Sequence, residues 1–332
     1  MKGHLLAFSL LVLFLSLSLS ACASHPPRVA PEVTLEGEPI GGFTAEELRK
    51  RLLLAAPRLA MPPKEPSLDP ATGGLIPGLD GWQLDVEKTL REALSAPQGA
   101  SLSYRFSPWL PQKTLQDLPP APIYRGNPEK KAMAFLINVA WGNEWIPDLL
   151  ALLEEEQGSA TWFLLGRWAE KNPELAETIA QAGQEIASHG YRDGEWESYS
   201  PEEIREDILR ADEAIQKVTG QKPLWFSTHK GIVTETILAT ARELGHETIL
   251  WSADTADWMD LSVEAMVARV EKRLQPGVLV LMHPTPKTAA AAREILRLGK
   301  EKGLTLLPLG ELLSPRRLEE PGPLAPPKGS PP

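Results

Sequence analysis

The residues able to do chemistry stand where apolar runs end. Asn138 lies at the end of the run 133–139 with Asn143 and Glu144 after it, His189 and Asp193 follow 185–188, and Ser227 and His229 follow 224–226. Asp254 and Asp257 lie beyond the end of 248–252, and His283 follows 278–282. Imidazoles and carboxylates are the groups that move protons or hold divalent cations. One polar residue at a strand end commonly caps a turn, whereas polar residues ending five strands of one sheet line a pocket. That convergence from remote segments is the first functional signal.

The elements that must carry these residues alternate. Strands are expected at 133–139, 160–165, 185–188, 224–226, 248–252, 278–282 and 304–307. Between them apolar positions at helical spacing predict helices over 146–156, 172–182, 201–218, 234–244, 263–274 and 288–302. Strands separated by helices of about 10 or more residues must pair in parallel, so the expected class is α/β, with a closed or nearly closed barrel as the architecture and an open doubly wound sheet as the alternative. In either, function belongs at the C-terminal strand ends. Before the barrel, 33–118 reads as a small α/β domain with Thr44 capping a helix from Ala45, 119–130 as a linker, 131–312 as the barrel and 313–332 as a Pro-rich tail.

The first residues form an address. Lys2 and His4 precede an apolar run from Leu5 to Leu15, and small residues follow, so 1–21 reads as a signal peptide too short to make a comfortable membrane span. Cys22 is the only cysteine and stands after Leu19-Ser20-Ala21, a phrase that resembles the bacterial lipobox. The resemblance implies an exported, membrane-anchored lipoprotein of the cell envelope, lipidated on Cys22, with 22–32 as a tether. The chain has 332 residues and a formal net charge of −10, without a Lys/Arg cluster to follow a phosphate backbone, which excludes nucleic acid as an expected partner.

The strand-end phrases together resemble the NodB-homology polysaccharide deacetylases, carbohydrate esterase family four, and their sporulation-type branch in particular. Ile186-Ala187-Ser188-His189 resembles the metal-site segment, Trp251 to Trp258 the fourth motif, Val280-Leu281-Met282-His283 the last, and Lys222 to Phe226 with Gly231 the third. Ile137-Asn138-Val139-Ala140-Trp141-Gly142-Asn143-Glu144 stands where the first motif belongs. The resemblance implies a distorted (β/α)7-type barrel and metal-assisted hydrolysis of an N-acetyl amide: a divalent cation such as zinc on one Asp and two His, a second Asp as base, and a His oriented by an Asp as acid. It implies His283, Asp257 and Asp254 as catalytic residues, Asn138, Trp141, Trp258 and Leu281 as substrate-binding residues, and His189 with Asp193 as metal ligands.

Several positions depart from that pattern. The paired aspartates of the first motif fall on Asn138 and Val139, an amide without usable basicity and a side chain without a lone pair. The second metal histidine is Asp193, within the turn phrase Tyr191-Arg192-Asp193-Gly194, and the arginine expected to hold the base is Ser227. Glu144 is the nearest carboxylate to complete a His, Asp, Glu set. No motif gives His229 or His246 a role. Trp141, Trp145, Trp251 and Trp258 lie near strand ends, where indole faces can pack on sugar rings, while Trp162 and Trp225 suit the core. Residues 33–118 are similar only in short phrases to small domains that precede wall-associated modules. The expected partner is cell-wall glycan or peptidoglycan, met by a deacetylase, by a silent glycan-binding relative or by an envelope scaffold.

Overall fold

The computed structural model describes residues 26–319 and 321. The expected signal peptide, Cys22 and most of the Pro-rich tail lie outside them. No helix among the described residues is long and apolar enough to cross a membrane.

Among the described residues two compact units divide the chain, one of residues up to 55 with 85–105 and the other of 56–84 with those from 106 on. In the first, Thr34–Leu35 pairs antiparallel with Glu38–Pro39 and parallel with Ser101–Leu102. The helix Ala45–Leu59 starts in this unit at a capping box, in which Glu47 N–H donates to Thr44 Oγ1 and Thr44 N–H to Glu47 Oε2. Asp85 caps the helix Val86–Ser95. Val29, Val33, Ile40, Leu48, Leu52 and Leu90 are buried here.

The second unit is built on a parallel sheet. Its strands are β1 (Ala132–Val139), β2 (Thr161–Leu164), β3 (Glu185–Ser188), β4 (Trp225–Phe226), β5 (Glu247–Thr248), β6 (Ala253–Asp254), β7 (Val278–Met282) and β8 (Thr305–Leu306). They run in the order β5-β4-β3-β2-β1-β7-β6, with β8 pairing the start of β1. All eight residues of β1 are buried, as befits a strand covered on both faces. Met133, Phe135, Ile137 and Val139 join Trp162, Leu164 and Ile186 in one core with the helices, α1 (Ile146–Glu155) and α7 (Thr288–Glu301) among them. Ala132, Ala134 and Leu136 join Phe163, Ala187, Ile249 and Leu279 in the other.

The sheet is a curled, incompletely closed half-barrel, and the reason lies at 248–252. The single strand expected there is two short ones, β5 and β6, at opposite ends of the sheet. Between them Ile123 N–H donates to Thr248 O and Leu250 N–H to Ile123 O, while Gly126 N–H donates to Gly277 O. Backbone at 123–126 thus reaches from the free edge of β5 to the start of β7, so 119–130 is not a free linker. Leu75 and Ile123 are buried in the inner core, which puts parts of 56–84 and 106–118 with the sheet instead of with the small domain expected at 33–118. At the other end Asp80 N–H donates to Pro315 O and Arg317 Nε to Asp80 O, so the chain stays pinned past 313. The helix expected over 172–182 is preceded by a separate one, Gly166–Lys171, and itself starts at Pro173 after the non-helical Asn172.

Candidate functional site

His283 follows β7 directly, and its Nδ1–H donates to Asp257 Oδ1 at 2.9 Å. The other carboxylate oxygen of Asp257 accepts the backbone N–H of His283 at 2.7 Å, the hydroxyl of Thr255 at 3.0 Å and that of Thr288 at 3.3 Å. Four hydrogen bonds from three elements fix a fully buried carboxylate and leave His283 Nε2 as the acceptor on a partly exposed ring. Asp254, expected to share this work, does not: its carboxylate accepts the Ala256 N–H at 2.7 Å in a local turn.

Trp141 lies on His283, ring centroids 5.8 Å apart and planes within 8°. The close approach of two loops makes the stack possible. Gly142 has φ of +81°, and a Cβ there would overlap the carbonyl oxygen of Pro284. Trp141 is 47% exposed and Trp258, next to Asp257, is 61% exposed. Leu281 is buried and offers no open surface. Beside Trp141 an open cleft of about 430 Å³ is lined by Asn143, Arg167, Trp168, Lys171 and Asn172. Asn143 is a scaffold there, accepting from Trp168 Nε1 at 2.7 Å and donating to Asn172 Oδ1 at 2.7 Å.

Across the same strand ends stands a second histidine group. Met282 pairs with Ile137, Val139 with Leu164 and Leu164 with Ser188, so the ends of β7, β1, β2 and β3 lie level and bring His283, Asn138 and His189 to one mouth. His189 Nδ1–H donates to Ser227 O at 2.8 Å, which leaves Nε2 with the lone pair. His229, to which no motif gave a role, packs against it with ring centroids 4.0 Å apart, and its Nδ1 faces Asp193 Oδ1 at 3.6 Å. Burial, then the neighbouring His229, pushes His189 well below the usual imidazole range, and burial lowers His229 despite the Asp193 charge. Burial thus disfavours the protonated form of both rings. His229 Nε2 and Asn138 Oδ1 are buried without a hydrogen-bond partner.

The expected metal set is not assembled. Val139 is 0% exposed within the helix-facing core. Asp193 has a 70% exposed side chain turned to His229, and Glu144 is exposed on the turn after β1. Among the described residues no three His, Cys, Asp or Glu gather as a metal site.

The polysaccharide deacetylase family profile matches residues 125–249. Protein YlxY of Bacillus subtilis is 33% identical over 273 residues, 82% of this chain and 85% of that protein. This chain belongs to the polysaccharide deacetylase family. The crystal structure of BA3943 from Bacillus anthracis, described as a family-four carbohydrate esterase pseudoenzyme, superposes with a TM-score of 0.70 at 33% identity, covering 82% of this chain and 96% of that one. A BA3943 mutant with the same score is described as having restored enzymatic activity. A peptidoglycan-N-acetylglucosamine deacetylase of Bacillus cereus is 31% identical over 51% of this chain and 82% of its own length. Polysaccharide deacetylases generally depend on a divalent metal, and the donors present here do not fit one at the family's positions: Val139 has nothing to donate, and Asn138 cannot act as the base beside it.

Proposed function

We propose that this polysaccharide deacetylase relative binds N-acetylated cell-wall glycan at the C-terminal mouth of its sheet without hydrolysing it. The observation that carries the reading is the pair Asn138 and Val139, which removes the base and the metal carboxylate while the surrounding mouth stays built. What remains suits recognition: an exposed indole stacked on His283 beside a polar cleft of about 430 Å³. A divalent ion such as zinc would find no base beside it, so binding without turnover is the outcome with or without the metal. Similarity to a peptidoglycan deacetylase supports peptidoglycan as the polymer. Lipidation at Cys22 would hold the protein at the envelope membrane, within reach of that polymer.

Titration with N-acetylglucosamine oligomers, read by tryptophan fluorescence, tests the reading. Saturable binding is expected, weakened about tenfold in Trp141→Ala by the loss of one stacking platform. Unaltered fluorescence with every oligomer and with soluble peptidoglycan fragments would instead favour an envelope scaffold.

A further inference from the structure

We propose that the cleft beside Trp141 is an anion subsite, in which Arg167 and Lys171 receive a carboxylate carried by the glycan and make an acidic saccharide the preferred ligand over a neutral one. The proposal rests on the glycan-binding reading and adds the charge of the polymer to it. The helix Gly166–Lys171 follows β2 after Leu165 alone. Leu165 N–H donates to Val139 O, Gly166 N–H to Gly190 O and Arg167 N–H to Tyr191 O, so the start of the helix is tied to the end of β1 and to the loop after β3. Trp168 and Ala169 are buried, while Arg167 and Lys171 are exposed and, four residues apart, share one face. Two like charges at that spacing repel each other. The helix dipole favours Lys171 in the last turn but opposes Arg167 in the first. Neither side chain has an ion-pair or hydrogen-bond partner among the described residues. Glu170, the carboxylate nearest in sequence, accepts instead from the Tyr191 hydroxyl at 2.7 Å. No carboxylate lines the cleft, and its two amides serve each other and Trp168: Asn143 accepts from Trp168 Nε1 and donates to Asn172, which donates to Trp168 O at 2.9 Å. The cations are therefore the donors left for a ligand. A guanidinium fork matches a carboxylate, and on a chain of net charge −10 this cleft is a place where an acidic sugar is attracted.

The experiment titrates the full chain, detergent-solubilised, with two N-acetylated glycan tetramers that differ only in charge: one bears a lactyl ether carboxylate on alternate sugars, and in the other each carboxylate is converted to its amide. The acidic tetramer should bind about tenfold more tightly at about 20 mM salt, and the ratio should fall towards one at about 500 mM. Arg167→Gln and Lys171→Gln, at exposed positions, should each lower the ratio, whereas Lys171→Arg should hold it. Equal binding of the two tetramers by the unaltered chain, or a ratio unmoved in both glutamine variants, overturns the proposal and leaves the glycan-binding reading standing. Binding of neither tetramer removes that reading and this proposal with it.

Discussion

At the scale of single residues, burial of unpaired imidazoles makes stability depend on pH with a definite sign. Both His189 and His229 are lowered by burial, so the unfolded chain takes up their protons first as pH falls below the ordinary imidazole value of about 6.5. Unfolding free energy is therefore full above that value and declines as pH falls from it towards the depressed folded values. Urea unfolding between pH 7.5 and 5, in the presence of chelator, should show this decline, and His229→Gln should make it shallower by up to about one proton. An unchanged slope in the variant would contradict a buried, neutral His229. The sequence made His189 and the Asp257–His283 partnership legible through family phrases. His229 was not legible, because Thr228-His229-Lys230-Gly231 has no periodicity and the pairing of β3 with β4, which brings it beside His189, joins segments remote in sequence. A histidine just beyond the end of a parallel strand, next to another strand ending in histidine, is the signal that could have found it.

At the scale of elements, Asp257 ties the turn after β6, the end of β7 and the first residue of α7 through its two oxygens. Asp257→Ala would leave the His283 backbone and ring N–H groups short of an acceptor, while Thr255 keeps Leu281 O and Thr288 keeps Thr285 Oγ1, at a cost of about 3 kcal/mol measured by chemical denaturation. Loss below about 0.5 kcal/mol would show that water replaces the carboxylate. Gly142→Ala tests the loop contact that seats Trp141 on His283: the added methyl must push away Pro284, so both stability and glycan affinity should fall, while a distant exposed Gly→Ala such as at Gly183 lowers stability alone. Alternation of period and element length disclosed most strands and helices. The division of 248–252 into two strands escaped because four consecutive apolar or small residues read as one run, and the competing partner, Ile123, comes from backbone more than a hundred residues earlier. Pro173 was visible, but its effect as the start of a new helix instead of the second residue of one was settled by the turn at Asn172.

At the scale of the molecule, a deacetylase-family scaffold carries Asn138 and Val139 where the family's first motif has paired aspartates. The curled parallel sheet still brings the ends of β1, β3, β4 and β7 to one mouth, and the His283–Asp257 pair keeps its geometry. A His283–Asp257 pair beside Asn138 and Val139 supports the proposed contact with a polymer over turnover, since a proton donor alone cannot generate the attacking water. The domain boundaries were the least legible feature, because 56–84 and 106–126 are Pro- and Gly-rich loops by composition, yet their few apolar residues, Leu75 and Ile123, fill the inner core. The central claim is met most directly by measuring free amines released from N-acetylglucosamine oligomers and peptidoglycan over many hours, with Zn2+ supplied. Amine at the level of the buffer control, alongside demonstrable glycan binding, is the result expected. Release that grows with protein concentration and disappears in His283→Ala would show a working deacetylase and contradict the account.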